Sequence, residues 1–324
     1  MSKNFEWIDW LKENLNWIVP VSFLSLFILV AGYYVWYISG ERPPTYASAL
    51  HQMKLKHPVS VVTTPAGDIY VANTGENNIE EFSPNGNLLN QWGRTGSKPG
   101  EFEEPFGLAL SPNGNLYVTD RNNDRVEKFT AAGKFLLQFG GLGIHPGEFD
   151  SPIGITVDEN GNVYVADTGN NRMQKFNSKG ENLLTWGEPG NSPGQFQNPW
   201  GVAVNPKGNV YVTDTYNNRI QIFTHHGNYI SSFGFKGKAP GEFDLPTFIH
   251  IDSSGMLYVT DTGNYRIQKL TPTGKVIWIY NAGKNTGMIY GLSLMDQHFL
   301  FVSYYSRSMV VKLRLHNLGE LIPF

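Results

Sequence analysis

The stretch Tyr164-Val165-Ala166-Asp167-Thr168-Gly169-Asn170-Asn171-Arg172-Met173-Gln174-Lys175-Phe176 decides the architecture, because it recurs. Variants begin at Tyr70, Tyr117, Tyr211 and Tyr258, so the steps 117 − 70, 164 − 117, 211 − 164 and 258 − 211 are each 47 residues. A worn sixth copy begins at Phe301, a step of 43. A fixed period of this size marks stacked or radial repeats. A second phrase keeps the same register: Pro99-Gly100-Glu101-Phe102, Pro146-Gly147-Glu148-Phe149, Pro193-Gly194-Gln195-Phe196 and Pro240-Gly241-Glu242-Phe243. Each is followed, three residues after its Phe, by Pro105, Pro152, Pro199 or Pro246.

Outward from 164–176, the unit 152–187 reads as four short strands. Gly154–Val157 is an apolar run, and Glu159-Asn160-Gly161-Asn162 is a hairpin turn in which Asn-Gly supplies positive φ. Val163–Asp167 and Arg172–Phe176 follow, then Ser178-Lys179-Gly180 turns into Asn182–Trp186. Four antiparallel strands every 40–50 residues is the pattern of a propeller blade. The expected fold is therefore an all-β, six-bladed β-propeller over 58–324, with blades opening at Pro58, Pro105, Pro152, Pro199, Pro246 and Tyr290. The step from Trp92 to Pro105, taken back from Pro58, falls at Thr45, which leaves little chain upstream to donate a strand. The expectation is that the C-terminus, Glu320–Phe324, supplies the last strand of blade 6.

These residues resemble the NHL-repeat family. The matching segments are Pro193-Gly194-Gln195-Phe196, Pro199-Trp200-Gly201-Val202-Ala203-Val204 and Gly208-Asn209-Val210-Tyr211-Val212-Thr213-Asp214-Thr215, and the likeness covers about 58–313. The resemblance implies a six-bladed propeller. It does not imply one function, since NHL-like propellers include protein-binding sensors, RNA binders and a metal-dependent amidating lyase.

Ahead of the repeats, Trp17–Ile38 is a long apolar run without a charged residue. As a helix it would span about 33 Å, enough for the hydrocarbon core. Trp17, Tyr33, Tyr34, Trp36 and Tyr37 lie near its ends as an aromatic belt does. It reads as a single transmembrane anchor rather than a cleaved signal, because the run is longer than a signal core and Ala47-Ser48-Ala49 lies far beyond it. Residues 1–16 read as a short tail or an interfacial helix, and 39–57 as a linker broken by Gly40, Pro43 and Pro44. Lys3 and Lys12 bias the N-terminus inward, which places the propeller outside the cytoplasm.

The chain of 324 residues carries a formal charge of −3, with no basic excess to suggest nucleic acid. A local basic patch from Arg94, Lys98, Lys236 and Lys238 is the one feature in that direction. There is no cysteine, which excludes disulfides and thiolate metal sites.

Asp120, Asp167, Asp214 and Asp261 pair by position with Arg125, Arg172, Arg219 and Arg266. A catalytic site is needed once, whereas this pair recurs in each good blade. It therefore reads as structural, the Asp accepting from loop amides and the Arg bracing the turn. Blade 1 has Asn73 and Asn78 in these places, and blade 6 has Tyr304 and Met309.

Positions that vary at a fixed place are the candidates for binding. The residue after the blade-opening Pro is Val59, Phe106, Ile153, Trp200, Thr247 and, in blade 6, Tyr290. Phe106, Trp200 and Tyr290 form either an aromatic platform near the channel or a packing layer under the loops. The loop after the second strand adds Glu76, Arg121, Asp124, Tyr216, Tyr265, Tyr304, Tyr305 and Arg307 on the same face. His250 falls on an innermost strand, but its counterparts Val62, Ala109, Thr156, Ala203 and Ser293 supply no ring of ligands. His225 and His226 sit on a turn at the opposite face. No catalytic motif is found and no cofactor is predicted. The expected function is non-catalytic: a membrane-anchored scaffold or accessory subunit that binds other membrane or envelope proteins through its loop-rich face. The alternative is a metal-dependent lyase or hydrolase in the channel around His250.

Overall fold

A computed structural model describes residues 42–49, 54–295 and 298–316. The tail 1–16 and the apolar run 17–38 lie outside the described residues. Among the described residues no helix is long and apolar enough to cross a membrane.

Six four-stranded antiparallel sheets make six blades. Blades 1 to 5 open with Pro58–Thr63, Pro105–Leu110, Pro152–Val157, Pro199–Val204 and Pro246–Ile251, and each continues outward in sequence order. Blade 3, for instance, runs Pro152–Val157, Val163–Asp167, Arg172–Phe176 and Asn182–Trp186. The innermost strand of every blade contacts that of the next, and blade 6 contacts blade 1, so the ring is closed.

Closure differs from the sequence expectation. Blade 6 consists of Ile289–Met295, Phe299–Tyr304, Met309–His316 and, outermost, the N-terminal strand Arg42–Ala49. Arg42 pairs with His316 and Ala49 with Val311. The stretch read as a linker thus holds a strand, and Arg42–Ala49, ahead of blade 1, closes the ring against Met309–His316. Residues 320–324 lie outside the described residues. The expectation fails because it assumes a full inter-blade loop. The step from Ala49 to Pro58 is shorter than that from Trp92 to Pro105, and the shorter lead-in is enough.

The core sits between blades. Tyr70, Tyr117 and Tyr164 of the recurring phrase are fully buried against the following blade. Phe102, Phe149, Phe196 and Phe243 of the Pro-Gly-x-Phe phrase have no exposed surface. Burial of a side chain of this size contributes about 2–3 kcal/mol. Val163, Val165 and Phe176 of blade 3 pack with Ala109 and Tyr117 of blade 2, while Tyr164 and Met173 pack with Val210 and Phe223 of blade 4. The period-2 alternation of each strand therefore feeds two different interfaces.

Two faces result. The loops between blades and the short 3-10 turns after second strands, such as Arg121–Asn123, form a loop-rich face. The tight turns between first and second, and third and fourth, strands form the opposite, turn face.

Candidate functional site

In every blade the innermost strand carries a register shift just after its first residue, for example between Pro105 and Leu108 and between Pro199 and Val202. Such a bulge re-aims the side chains within it. The second residue is thereby turned toward the ring axis, and Val59, Phe106 and Ile153 pack in one cluster with Trp200, Phe248, Tyr290 and Tyr305. In blades 2, 3, 4 and 6 the third residue is a glycine, Gly107, Gly154, Gly201 or Gly291, pressed on a backbone carbonyl of the next blade. A Cβ on Gly154 would lie 1.9 Å from the Trp200 carbonyl oxygen.

The aromatic rings meet across the channel. Phe106 of blade 2 stacks on Phe248 of blade 5, which stands opposite in the ring, with centroids 6.4 Å apart and planes at 14°. Trp200 meets Phe106 edge-on at 5.6 Å and stacks on Tyr290 at 5.7 Å. Tyr305 continues the series, 5.3 Å from Tyr290 and stacked at 4.7 Å on His57. Phe106 is buried, whereas Trp200, Tyr290, Phe248 and Tyr305 are half-buried. Arg121 sits over the Phe106 ring at 5.5 Å and is held by Glu104 at 2.8 Å. Burial pushes the Tyr290 hydroxyl above the usual tyrosine range; Tyr305 adds to this and Arg121 opposes it. The Trp200 Nε1 donates to Asn198 at 2.6 Å, which fixes the indole.

The other sequence candidates scatter. Tyr216 is 54% exposed on the loop-rich face. Tyr265 stands at the end of its 3-10 turn with φ 54°, and Arg307 is exposed and donates to the Asn285 carbonyl. Glu76 pairs with Lys56 at 3.2 Å, and Asp124 accepts from the Ser151 amide at 2.7 Å. Tyr304 is a correction. It is only 3% exposed and packs between blades 5 and 6, because it ends a strand where blades 2 to 5 place their buried Asp.

Phe248 and His57 are members of the cluster that the sequence reading misses. Phe248 occupies the place of Gly107, Gly154, Gly201 and Gly291, so in blade 5 the aromatic is displaced by one residue from the position held by Thr247. That break in the glycine pattern is the available signal.

The Asp-Thr-x-Asn-x-Arg phrase is occupied with structure. Asp167 accepts from the Asp150 amide at 2.8 Å, from Asn170, and from the Arg172 Nε at 2.6 Å. Arg172 donates onward to the carbonyls of Ile144, His145 and Glu148 in the preceding loop. The same set recurs at Asp120 with Arg125, Asp214 with Arg219 and Asp261 with Arg266. The Thr of the phrase reaches forward: Thr168 donates to the Pro199 carbonyl of the next blade at 2.7 Å. Burial pushes Asp120, Asp167, Asp214 and Asp261 above the ordinary aspartate range, with the loop amide, Asn and Arg pulling the other way.

His250 is half-buried, and burial pushes it down to about 4 while Asp252 acts in the opposite direction. Asp252 is engaged in its own turn, accepting from the amides of Ser254 and Met256. Among the described residues no three His, Asp or Glu side chains gather as metal ligands would. A cavity of about 500 Å3 opens on the turn face between blades 3, 4 and 5, lined by Asp158, Lys175, Lys207, His225 and Asp252. The basic residues of the expected patch do not converge. Arg94 is paired with Glu101 at 2.8 Å, and the loop of Arg94 and Lys98 lies three blades from that of Lys236 and Lys238, on opposite sides of the ring.

The NHL repeat family matches residues 102–129, 149–176 and 196–223. No curated protein sequence matches the chain. Among solved structures, the chain is similar to a virginiamycin B lyase from Staphylococcus aureus, at 15% identity and a TM-score of 0.61, over 83% of this chain and 98% of that one. It is similar to a gluconolactonase from Xanthomonas campestris at 14% identity and a TM-score of 0.64, over 85% of this chain and 95% of that one. It is also similar to a chain of a nidogen/laminin complex at 16% identity and a TM-score of 0.59, over 73% and 84%. At such identities the likeness shows the fold alone. The chain is a six-bladed β-propeller that carries NHL repeats in blades 2, 3 and 4.

Proposed function

We propose that this protein is a membrane-anchored, non-catalytic scaffold that binds a protein partner on the loop-rich face of its propeller. The observation that carries this reading is the aromatic cluster of Phe106, Trp200, Phe248, Tyr290 and Tyr305, which fills the channel mouth with Arg121 beside it. Rigid aromatics with an Arg, half-buried at the centre of a face, are the composition of a binding hot spot. The loops around them expose Leu142, Ile144, Phe235 and Tyr216. The uncharged run 17–38 supports the anchor, and the lysines before it support a propeller outside the cytoplasm. The self-satisfied Asp-Arg pairs and the lone His250 favour this reading over a channel enzyme.

The test is purification of the tagged full-length protein in mild detergent, with mass spectrometry of co-eluting chains and metal analysis of the same sample. The expected result is a stoichiometric partner. Affinity for it falls about 30-fold or more in Trp200→Ala, and measurably in the exposed Tyr216→Ala, with melting temperature unchanged in the latter. A lone chain with one metal ion overturns the scaffold and directs attention to His250.

A further inference from the structure

The two faces of the propeller are not equally placed to meet a membrane, and the N-terminal strand decides between them. Composition alone favours the loop-rich face, where Leu142, Ile144 and Phe235 are 75%, 72% and 63% exposed. Basic side chains flank them at Lys98, Lys236 and Lys238. Apolar tips beside lysines are what an interfacial contact uses. The topology says otherwise.

Met309 pairs with Tyr304 next to the 3-10 turn Tyr305–Arg307, so the third strand of blade 6 begins at the loop-rich face. It ends at the turn face, where the Leu315 amide donates to the His298 carbonyl in the turn between the first two strands. Arg42 pairs with His316 and Ala49 with Val311, so the N-terminal strand enters at the turn face and climbs toward the loops. The uncharged run ends at Ile38, four residues before Arg42 (42 − 38). Four extended residues reach at most about 14 Å. The strand Arg42–Ala49 is irregular at two places and spans His316 to Val311 of its partner, five residue steps (316 − 311) or about 17 Å. A propeller lying on its loops would hold Arg42 a strand's length from the bilayer, farther than the tether allows.

We infer that the propeller stands with its turn face against the lipid surface and its loop-rich face turned away from it. This rests on the reading that 17–38 crosses the bilayer. The turn face suits the position. Lys134, Lys179, Lys207 and Lys275 are exposed there and can meet lipid phosphates. The outer strands begin beside these turns, and their second residues, Leu89, Leu136, Leu183 and Ile230, are exposed at intervals of 47 around the rim. The apolar loop tips and the aromatic cluster then face solvent, where a protein partner arrives. The occupant of the turn face is the bilayer that holds the chain's own anchor.

The chain has no cysteine, so single cysteines report positions cleanly. Full-length protein carrying Lys179→Cys, Lys275→Cys, Lys236→Cys or Leu142→Cys is labelled with a fluorophore. It is reconstituted into phosphatidylcholine/phosphatidylglycerol liposomes containing headgroup nitroxide lipid. The expected result is quenching several-fold stronger at 179 and 275 than at 236 and 142. Equal quenching at the four sites, or stronger quenching at 236 and 142, overturns the orientation while leaving the anchor standing. Protein that does not float with the liposomes overturns the anchor, and the orientation with it.

Discussion

The guanidinium of Arg125 reaches two buried carboxylates at once: its Nε donates to Asp120 at 3.0 Å and its Nη2 stands 2.9 Å from Glu127. In blades 3, 4 and 5 the residue at the place of Glu127 is Gln174, Gln221 or Gln268. Each of those amides donates to its Asp, at 3.0, 3.0 and 3.1 Å, and to a loop carbonyl. An ionised glutamate has no proton to give Asp120; the Glu127 Oε1 faces only the Arg125 Nη2, and its Oε2 accepts from the Gly100 amide at 3.0 Å. Burial pushes Glu127 up to about 7; Asp120 adds to this, while Arg125 and the Gly100 amide oppose it.

Glu127→Gln therefore removes a pH dependence. The folded Glu127 holds its proton to about pH 7, against an ordinary value of 4.5, so the folded state binds more protons between these limits. Stability from this group is present in full below about 4.5 and is lost as pH rises through 7. Melting temperature of the wild-type protein followed from pH 4.5 to 7.5 should fall relative to that of Glu127→Gln. The variant should be the more stable of the two at pH 7.5. Parallel curves would show that Glu127 does not titrate there.

Blade 1 makes the same contact with polarity reversed. Asn73 stands in the Asp place and donates from Nδ2 to Glu80 at 2.7 Å, while its Oδ1 accepts from the Lys56 amide at 2.7 Å. Asn73→Asp alone sets two carboxylates together with no Arg at Asn78, and should destabilise. Asn73→Asp with Glu80→Gln recreates the pair of blades 3 to 5 and should recover most of the loss. A double-mutant cycle by urea denaturation should give a coupling of about 1–3 kcal/mol. Additive effects would reject the exchange of roles.

Gly154→Ala tests the close approach of inner strands. The added methyl group would lie 1.9 Å from the Trp200 carbonyl oxygen, so blades 3 and 4 must part. The expected cost is about 1–3 kcal/mol in unfolding free energy by denaturant titration. A change in Trp200 fluorescence should accompany it, since the moved carbonyl belongs to that residue. Gly161→Ala, with nothing within 4 Å but φ +81°, serves as the comparison that strains backbone without parting blades.

Removal of residues 1–49 leaves blade 6 with three strands and bares the edge of Met309–His316. An unpaired edge invites pairing with another chain. The shortened propeller should melt lower than one beginning at residue 40, and should form oligomers at high concentration. Equal melting temperatures would mean that the N-terminal strand adds nothing to closure.

The blades are legible because each repeats a local code. Turns such as Asn160-Gly161, alternation such as Val163–Asp167 and the recurrent Asp167–Arg172 pair all act within a single unit, so their spacing survives as a fixed period. The structural role of the Asp-Arg pair is legible for the same reason. Tyr304 misleads, since it stands at the strand end, the place of Asp120 and Asp167, and not in the loop that follows.

By itself, then, the sequence determined the strands of blades 1 to 5, their grouping in fours and the number of blades, and it singled out Phe106, Trp200 and Tyr290 but neither Phe248 nor the closing strand. Only the tertiary structure decided that Arg42–Ala49 closes blade 6, that Phe106 meets Phe248 across the ring, and that the chain enters the propeller at its turn face. The reason is physical. Strand pairing at the closing edge joins backbone groups far apart in the sequence, as Ala49 does with Val311, and backbone groups carry no side-chain signature. Contacts across the channel depend on how six blades share one axis, which no single repeat encodes.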